Sequence, residues 1–280
     1  MRAAPRHLPP LLATTLFLPL FPLPSSLFPL PLPGCSQQAG APLTSDPAAL
    51  ALRARMLRSY RSLRAIRETI VQRQWTSDPQ KASTLQITLR FRRPNRVYLN
   101  VDYPQIGQPG RWYLTFACDG RTLIFYNSAR NEFQRLKAPA TLENIQLPAS
   151  LREPEIVLLL KNVDPFAELD RSGVTRASAS FENTGPAAYD ILQMDAHQEG
   201  ADRRLRYRLD PKDHLLRGWS LAIQPDAGPP SPFRAAETAA NVTAEYTQVE
   251  VDPRLADGDF AFTPPAGAKE VRSPRRKDRP

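Results

Sequence analysis

From Leu85 to Tyr103 the apolar residues fall on every second position, and that period restricts the backbone more than any other feature of the chain. Leu85, Ile87, Leu89 and Phe91 alternate with Gln86, Thr88, Arg90 and Arg92, and Val97, Leu99, Val101 and Tyr103 resume the period after Arg93-Pro94-Asn95. Successive side chains of a strand point to opposite faces, so each run has one apolar and one polar face. Two further apolar runs, WYLTFAC and TLIFY, flank Asp119-Gly120, a dipeptide suited to a tight hairpin turn. The turn at 127–131 leads into a strand through Phe133 and Leu136, and strand patterns return at 174–182, 188–197, 203–209, 215–224 and 241–251. These signals predict an antiparallel meander with one buried face.

Helical spacing occurs in two places. Asp46-Pro47 supplies an N-cap followed by proline at the first helical position. Leu50, Ala54, Leu57, Tyr60, Leu63, Ile66 and Ile70 then recur as one apolar face, which predicts a helix running to about Val71. Arginines at 53, 55, 58, 61, 64 and 67 flank that face, as a solvated helix surface or as a membrane-facing one. Between 141 and 169 short apolar groups are broken at Pro148, Pro154 and Pro165, the pattern of two or three short helices laid across a sheet. The fold class expected is α+β and mainly β, with an N-terminal helix and short helices laid across the sheet.

Residues 1–34 have the form of a secretory signal: Arg2, Arg6 and His7, then a long uncharged run too rich in proline for a spanning helix. Its end, Leu32-Pro33-Gly34-Cys35, resembles the bacterial lipobox, from which it departs at Pro33. That resemblance implies a lipid on Cys35. The polar stretch 35–46 would be a tether, 47–271 the domain, and 272–280 a basic disordered tail. The net charge of +9 is concentrated: seven arginines face only Glu68 between Arg53 and Arg73, and five basic groups face one acid in the tail. Basic charge confined in this way suits an anionic membrane surface, not a nucleic-acid groove, which would interleave it with exposed aromatics. The expected location is the periplasmic face of the outer membrane, with the inner membrane as the alternative.

No catalytic constellation emerges. Past residue 34 only His197 and His214 remain, and neither has a zinc, nucleophile-elbow or phosphate-loop context. The chain is therefore expected to be no enzyme, with no cofactor and no metal. With Cys35 acylated, Cys118 has no disulfide partner and is expected to be a small buried hydrophobe.

The order of motifs carries a resemblance. After the helix come LRFRRPNRVYLNVDYP, then ACDGRTLIFYNSARNEFQRL, short helices, LRYRLDPKDHLLRGWSLAI and a closing FAFTPPAGAKEV. This series resembles the LolA/LolB family of periplasmic lipoprotein carriers over about Pro47 to Val271. The resemblance implies a strongly curved, incomplete antiparallel barrel whose apolar cavity holds acyl chains. By parity the cavity face would be Leu85, Ile87, Leu89, Phe91, Val97, Leu99 and Val101, joined by Trp112, Leu114 and Phe116, or else by Tyr113 and Thr115. Arg93 matches the family's Arg-Pro position, which implies a latch hydrogen-bonded to the lid segments; otherwise the chain turns before Pro94 and Arg93 meets water. Ile106 lies where the family's membrane receptor carries a protruding apolar residue. The function implied is a monomeric protein binding lipid acyl chains or lipoproteins for transport, sorting or retention. The alternative is an envelope-stress sensor built on the same half-barrel.

Overall fold

The computed structural model describes residues 44–103, 112–143, 145, 154–161, 174–185, 187–198, 201–225 and 239–271. Its helices are α1 (Pro47–Ser62) and α2 (Pro154–Lys161). The first half of the chain forms β1 (Thr44–Ser45), β2 (Ala65–Trp75), β3 (Ser83–Arg92), β4 (Arg96–Tyr103), β5 (Trp112–Asp119), β6 (Thr122–Asn127) and β7 (Glu132–Lys137). The second half forms β8 (Val174–Asn183), β9 (Ala188–Gln198), β10 (Ala201–Leu209), β11 (Leu216–Pro225), β12 (Ala240–Val251) and β13 (Lys269–Glu270).

All the strands among the described residues belong to one sheet, ordered β1-β8-β9-β10-β11-β12-β2-β3-β4-β5-β6-β7-β13. Two antiparallel meanders, β2–β7 and β8–β12, meet where the last long strand pairs with the first, Tyr246 opposite Ile70. The sheet is curved and open, and its outermost pairings, β1 on β8 and β13 on β7, are two-residue parallel contacts. The result is the mainly-β half-barrel with helices that the family resemblance implies, built from the meander that the residue pattern predicts.

The start of α1 follows its capping chemistry, since Asp46 Oδ1 accepts from Ala48 N at 2.9 Å ahead of Pro47. Its end does not follow the expected pattern. The helix stops at Ser62, and Ala65–Trp75 is a strand, not a continuation to Val71. Ile66 and Ile70 are four apart, a spacing that satisfies both a helical face and alternate positions of a strand. Stiff β-branched Ile66, Thr69, Ile70 and Val71 favour the extended choice. The buried stripe of α1 is also rotated from the expected one: Ala49, Leu52, Met56 and Tyr60 are buried, whereas Leu50 is exposed.

Gly120, at φ +91°, makes the tight turn between β5 and β6, and Asp119 Oδ1 accepts from the nitrogens of Arg121 and Thr122 at 2.7 Å. The closing segment packs on the outer face of the sheet. Phe260 is buried with Ala65 and Leu255, and Phe262 lies on Tyr126. Arg92 and Arg96 both bind Asp257 there, anchoring the segment across β3 and β4.

Candidate functional site

Strand pairing fixes what faces the inside of the curve. Leu89 pairs with Leu99 and Leu99 with Phe116, while Ile87 pairs with Val101 and Val101 with Leu114. Phe91 pairs with Val97, and Val97 with Cys118. Ile87, Leu89, Phe91, Val97, Leu99, Val101, Phe116 and Cys118 are all buried in one cluster, against which Leu85 and Leu114 pack half-buried. Half-buried Trp112 pairs with Tyr103 and tilts against its ring at 5.2 Å. The register left open at β5 is thereby resolved. Tyr113 points to the other face, against Tyr126, and Thr115 Oγ1 donates to Asn100 Oδ1 there at 2.9 Å.

The middle of this face is covered by the chain's own helices. Ala49, Leu52 and Met56 of α1 and Ile156, Leu158, Leu159 and Leu160 of α2 join the same cluster. Further apolar residues pack half-buried against that cluster, Leu85, Tyr103, Leu114 and Phe125 from β3 to β6 and Ala179 and Leu205 from β8 and β10.

Arg93 does not bond α2 among the described residues. Its Nε donates to Leu63 O at 2.9 Å and a terminal nitrogen to Tyr60 O at 3.2 Å, while the guanidinium lies 5.5 Å from the Phe91 ring centre. The carbonyls at a helix end lack intrahelical partners, and a cation there also meets the negative end of the dipole. Arg93 thus ties the end of α1 to the tip of β3, where the family resemblance implied a bond to the lid segments. Arg93→Leu should destabilise the protein by about 1.5–3 kcal/mol, read as a lower denaturation midpoint with an unchanged slope.

Sequence reasoning missed a polar cluster beneath the helices. Glu68 of β2 and Glu155 of α2 are fully buried. Tyr60 donates its hydroxyl to Glu155 Oε1 at 2.5 Å and accepts from Leu216 N at 3.1 Å. Burial pushes Glu155 up to about 7 against the lowering effect of Glu68, Tyr60, Arg217 and Tyr246. Burial and the neighbouring Glu155 push Glu68 well above the usual carboxylate range, and burial raises Tyr60 likewise. Two ionised carboxylates have no donor between them, so both Glu68 oxygens lack a partner unless one proton is shared. The signal was present in the sequence: Glu68 and Gln72 sit at inward positions of the strand that holds Ile66 and Ile70, and Glu155 is the charge within PEIVLLL.

The remaining candidates lie elsewhere. His197 is exposed beside Asp202 at 2.9 Å, and His214, in the turn after β10, stands 3.8 Å from Asp190. Among the described residues no three His, Cys, Asp or Glu side chains gather as a metal site. Cys35, Ile106 and the tail 272–280 lie outside the described residues.

No protein-family profile matches the chain. An uncharacterized protein of Methanocaldococcus jannaschii is 21% identical over 246 residues, 86% of this chain, and the chain spans 56% of that relative's length. Similar solved structures include the lipoprotein LppX of Mycobacterium tuberculosis, at 13% identity and TM-score 0.40 over 75% of this chain and 98% of that one. The MucA/MucB complex of Pseudomonas aeruginosa matches at 13% identity and TM-score 0.41, over 77% of this chain and 61% of the other. A LolA-superfamily protein of Nitrosomonas europaea matches at 8% identity and TM-score 0.30, over 76% and 97%.

Proposed function

We propose that this protein is a lipid-anchored envelope lipoprotein that binds acyl chains, free or as part of lipoproteins, on the concave face of its half-barrel. The observation that carries the reading is the continuity of that face: it is apolar from strand to strand, with half-buried apolar residues packed around the buried cluster. An apolar surface of this shape takes up a chain without covalent chemistry, at about 0.8 kcal/mol for each methylene removed from water. The test is displacement of a fluorescent fatty-acid probe from the purified protein. Saturable binding is expected, and its absence would overturn the acyl-binding reading.

A second reading is favoured by a different observation. Ile87, Leu89, Val97 and Leu99 are 0% exposed because the chain's own helices fill the centre of the curve. A closed centre suits a regulatory half-barrel that senses envelope stress and binds a protein partner. Lipid carriage and partner binding separate in native mass spectrometry of protein purified in mild detergent, since a carrier retains lipid mass.

Attachment through Cys35 belongs to the same proposal. Cys35→Ala should move the protein from the membrane to the soluble fraction and leave its precursor unprocessed. Stable attachment takes more than one acyl chain or added basic attraction, so the wild type should carry multiple acyl groups. A wild-type protein that begins at Met1, or lacks acyl mass on Cys35, would remove the anchor from the proposal.

A further inference from the structure

The helix α2 brings an apolar row and a carboxyl group to the same place that an amphiphile would. Leu158, Leu159 and Leu160 lie in the core cluster of the concave face, and Glu155 enters a buried polar site. The groups facing the Glu155 carboxyl come from four elements: Tyr60 from α1, Glu68 from β2, Arg217 from β11 and Tyr246 from β12. Arg217 is itself engaged by Asp213 at 2.5 Å and Asp210 at 3.3 Å, so it supplies field without closing on the carboxyl. Two of them suit one carboxyl group: the Tyr60 hydroxyl, which donates at 2.5 Å, and the Glu68 carboxyl, neither of whose oxygens has a hydrogen-bond partner.

We propose that this site is a receptor for the carboxylic acid head of a long-chain acid, and that α2 is the internal occupant such a ligand displaces. The inference rests on the acyl-binding reading above and names the head group of the ligand. A free fatty acid reproduces what α2 presents: one carboxyl for Tyr60 and Glu68, and an apolar chain for the surface that Leu158 to Leu160 cover. An ester or an alcohol reproduces only part of it. A buried carboxyl pair holds together through one shared proton, and Glu155 at about 7 with Glu68 raised beside it keeps that proton available at neutral pH. A ligand acid taking the place of Glu155 shares the same proton with Glu68, so the exchange leaves the charge of the core unchanged.

The experiment compares palmitic acid, hexadecanol and methyl palmitate as competitors of the uncharged probe N-phenyl-1-naphthylamine, on the wild-type protein and on Glu155→Ala. Loss of the internal carboxyl should raise the preference for the acid over the methyl ester by about tenfold, the size of a charge-assisted hydrogen bond. Tyr60→Phe in the same background should narrow that preference. Glu155→Leu removes the carboxyl and keeps the side-chain size, and a preference for acid should appear there too if Glu155→Ala fails to fold. If α2 were only a structural plug, loosening it would strengthen all three competitors equally, with an unchanged acid-to-ester ratio. That result overturns the receptor and leaves acyl binding standing. Failure of all three to displace the probe from either protein overturns acyl binding, and the receptor with it.

Discussion

Leu89→Glu should leave the protein largely unfolded at neutral pH. Leu89 is 0% exposed on the concave face, paired across the strands with Leu99 on one side and Glu68 on the other. Removing the leucine forfeits about 1.5–3 kcal/mol of burial. The new carboxyl must then either ionise in a dry core, at a further cost of several kcal/mol, or stay protonated far above its ordinary range. It also lands opposite Glu68, so a third carboxyl joins a pair already short of protons. The sum approaches the whole stability of a typical domain, about 5–15 kcal/mol. Thr84→Glu puts the same charge on the other face of the same strand, opposite Arg73, and should stay within about 0.5 kcal/mol of the wild type. Urea denaturation followed by circular dichroism measures both. A Leu89→Glu protein as stable as the control would mean that the concave face is open to water.

The contrast between those two positions is legible in the sequence, because parity alone separates Thr84 from Leu89. What parity cannot do is fix a strand with apolar residues on both faces. In β5, Tyr113 and Leu114 are neighbours of opposite facing, and only the pairing of Leu99 with Phe116 decides between them. The overrun of the first helix has a related cause. Two polar residues, Glu68 and Gln72, occupy inward positions of β2 and hide its period of two, leaving Ile66 and Ile70 at a spacing common to both geometries. Arg93 was legible as a special residue but not in its partner, since a carbonyl at a helix end has no side-chain signature. The carboxyl pair was the least legible feature. Its members come from elements distant in sequence, and only the packing of α2 across the sheet brings them together.

That pair sets the second large effect, a fall in stability as pH rises. Glu155 stands at about 7 in the folded protein against an ordinary glutamate value of 4.5, and Glu68 is raised as well. An acid raised by folding binds more protons in the folded state than in the unfolded one over the interval between the two values. Its favourable contribution is therefore complete below 4.5 and is lost as pH climbs through about 7, and the raised Glu68 contributes in the same direction. For Glu155 alone the interval corresponds to on the order of 3 kcal/mol. Above it, two carboxylates face each other in a dry core with Arg217 already engaged by Asp210 and Asp213. Glu155 is the charged group within the buried stretch of α2, so the helix should be released from the sheet ahead of global unfolding. Denaturation midpoints of the wild type should decline from about pH 5 to about pH 8. The double variant Glu68→Gln with Glu155→Gln should lose most of that slope, because paired amides satisfy each other without a titrating proton. Amide hydrogen exchange along 154–161 should quicken with pH in the wild type beyond the intrinsic chemical rate, and not in the double variant. Equal slopes for the two proteins between about pH 5 and about pH 8 would show that the carboxyl pair does not govern the docking of α2.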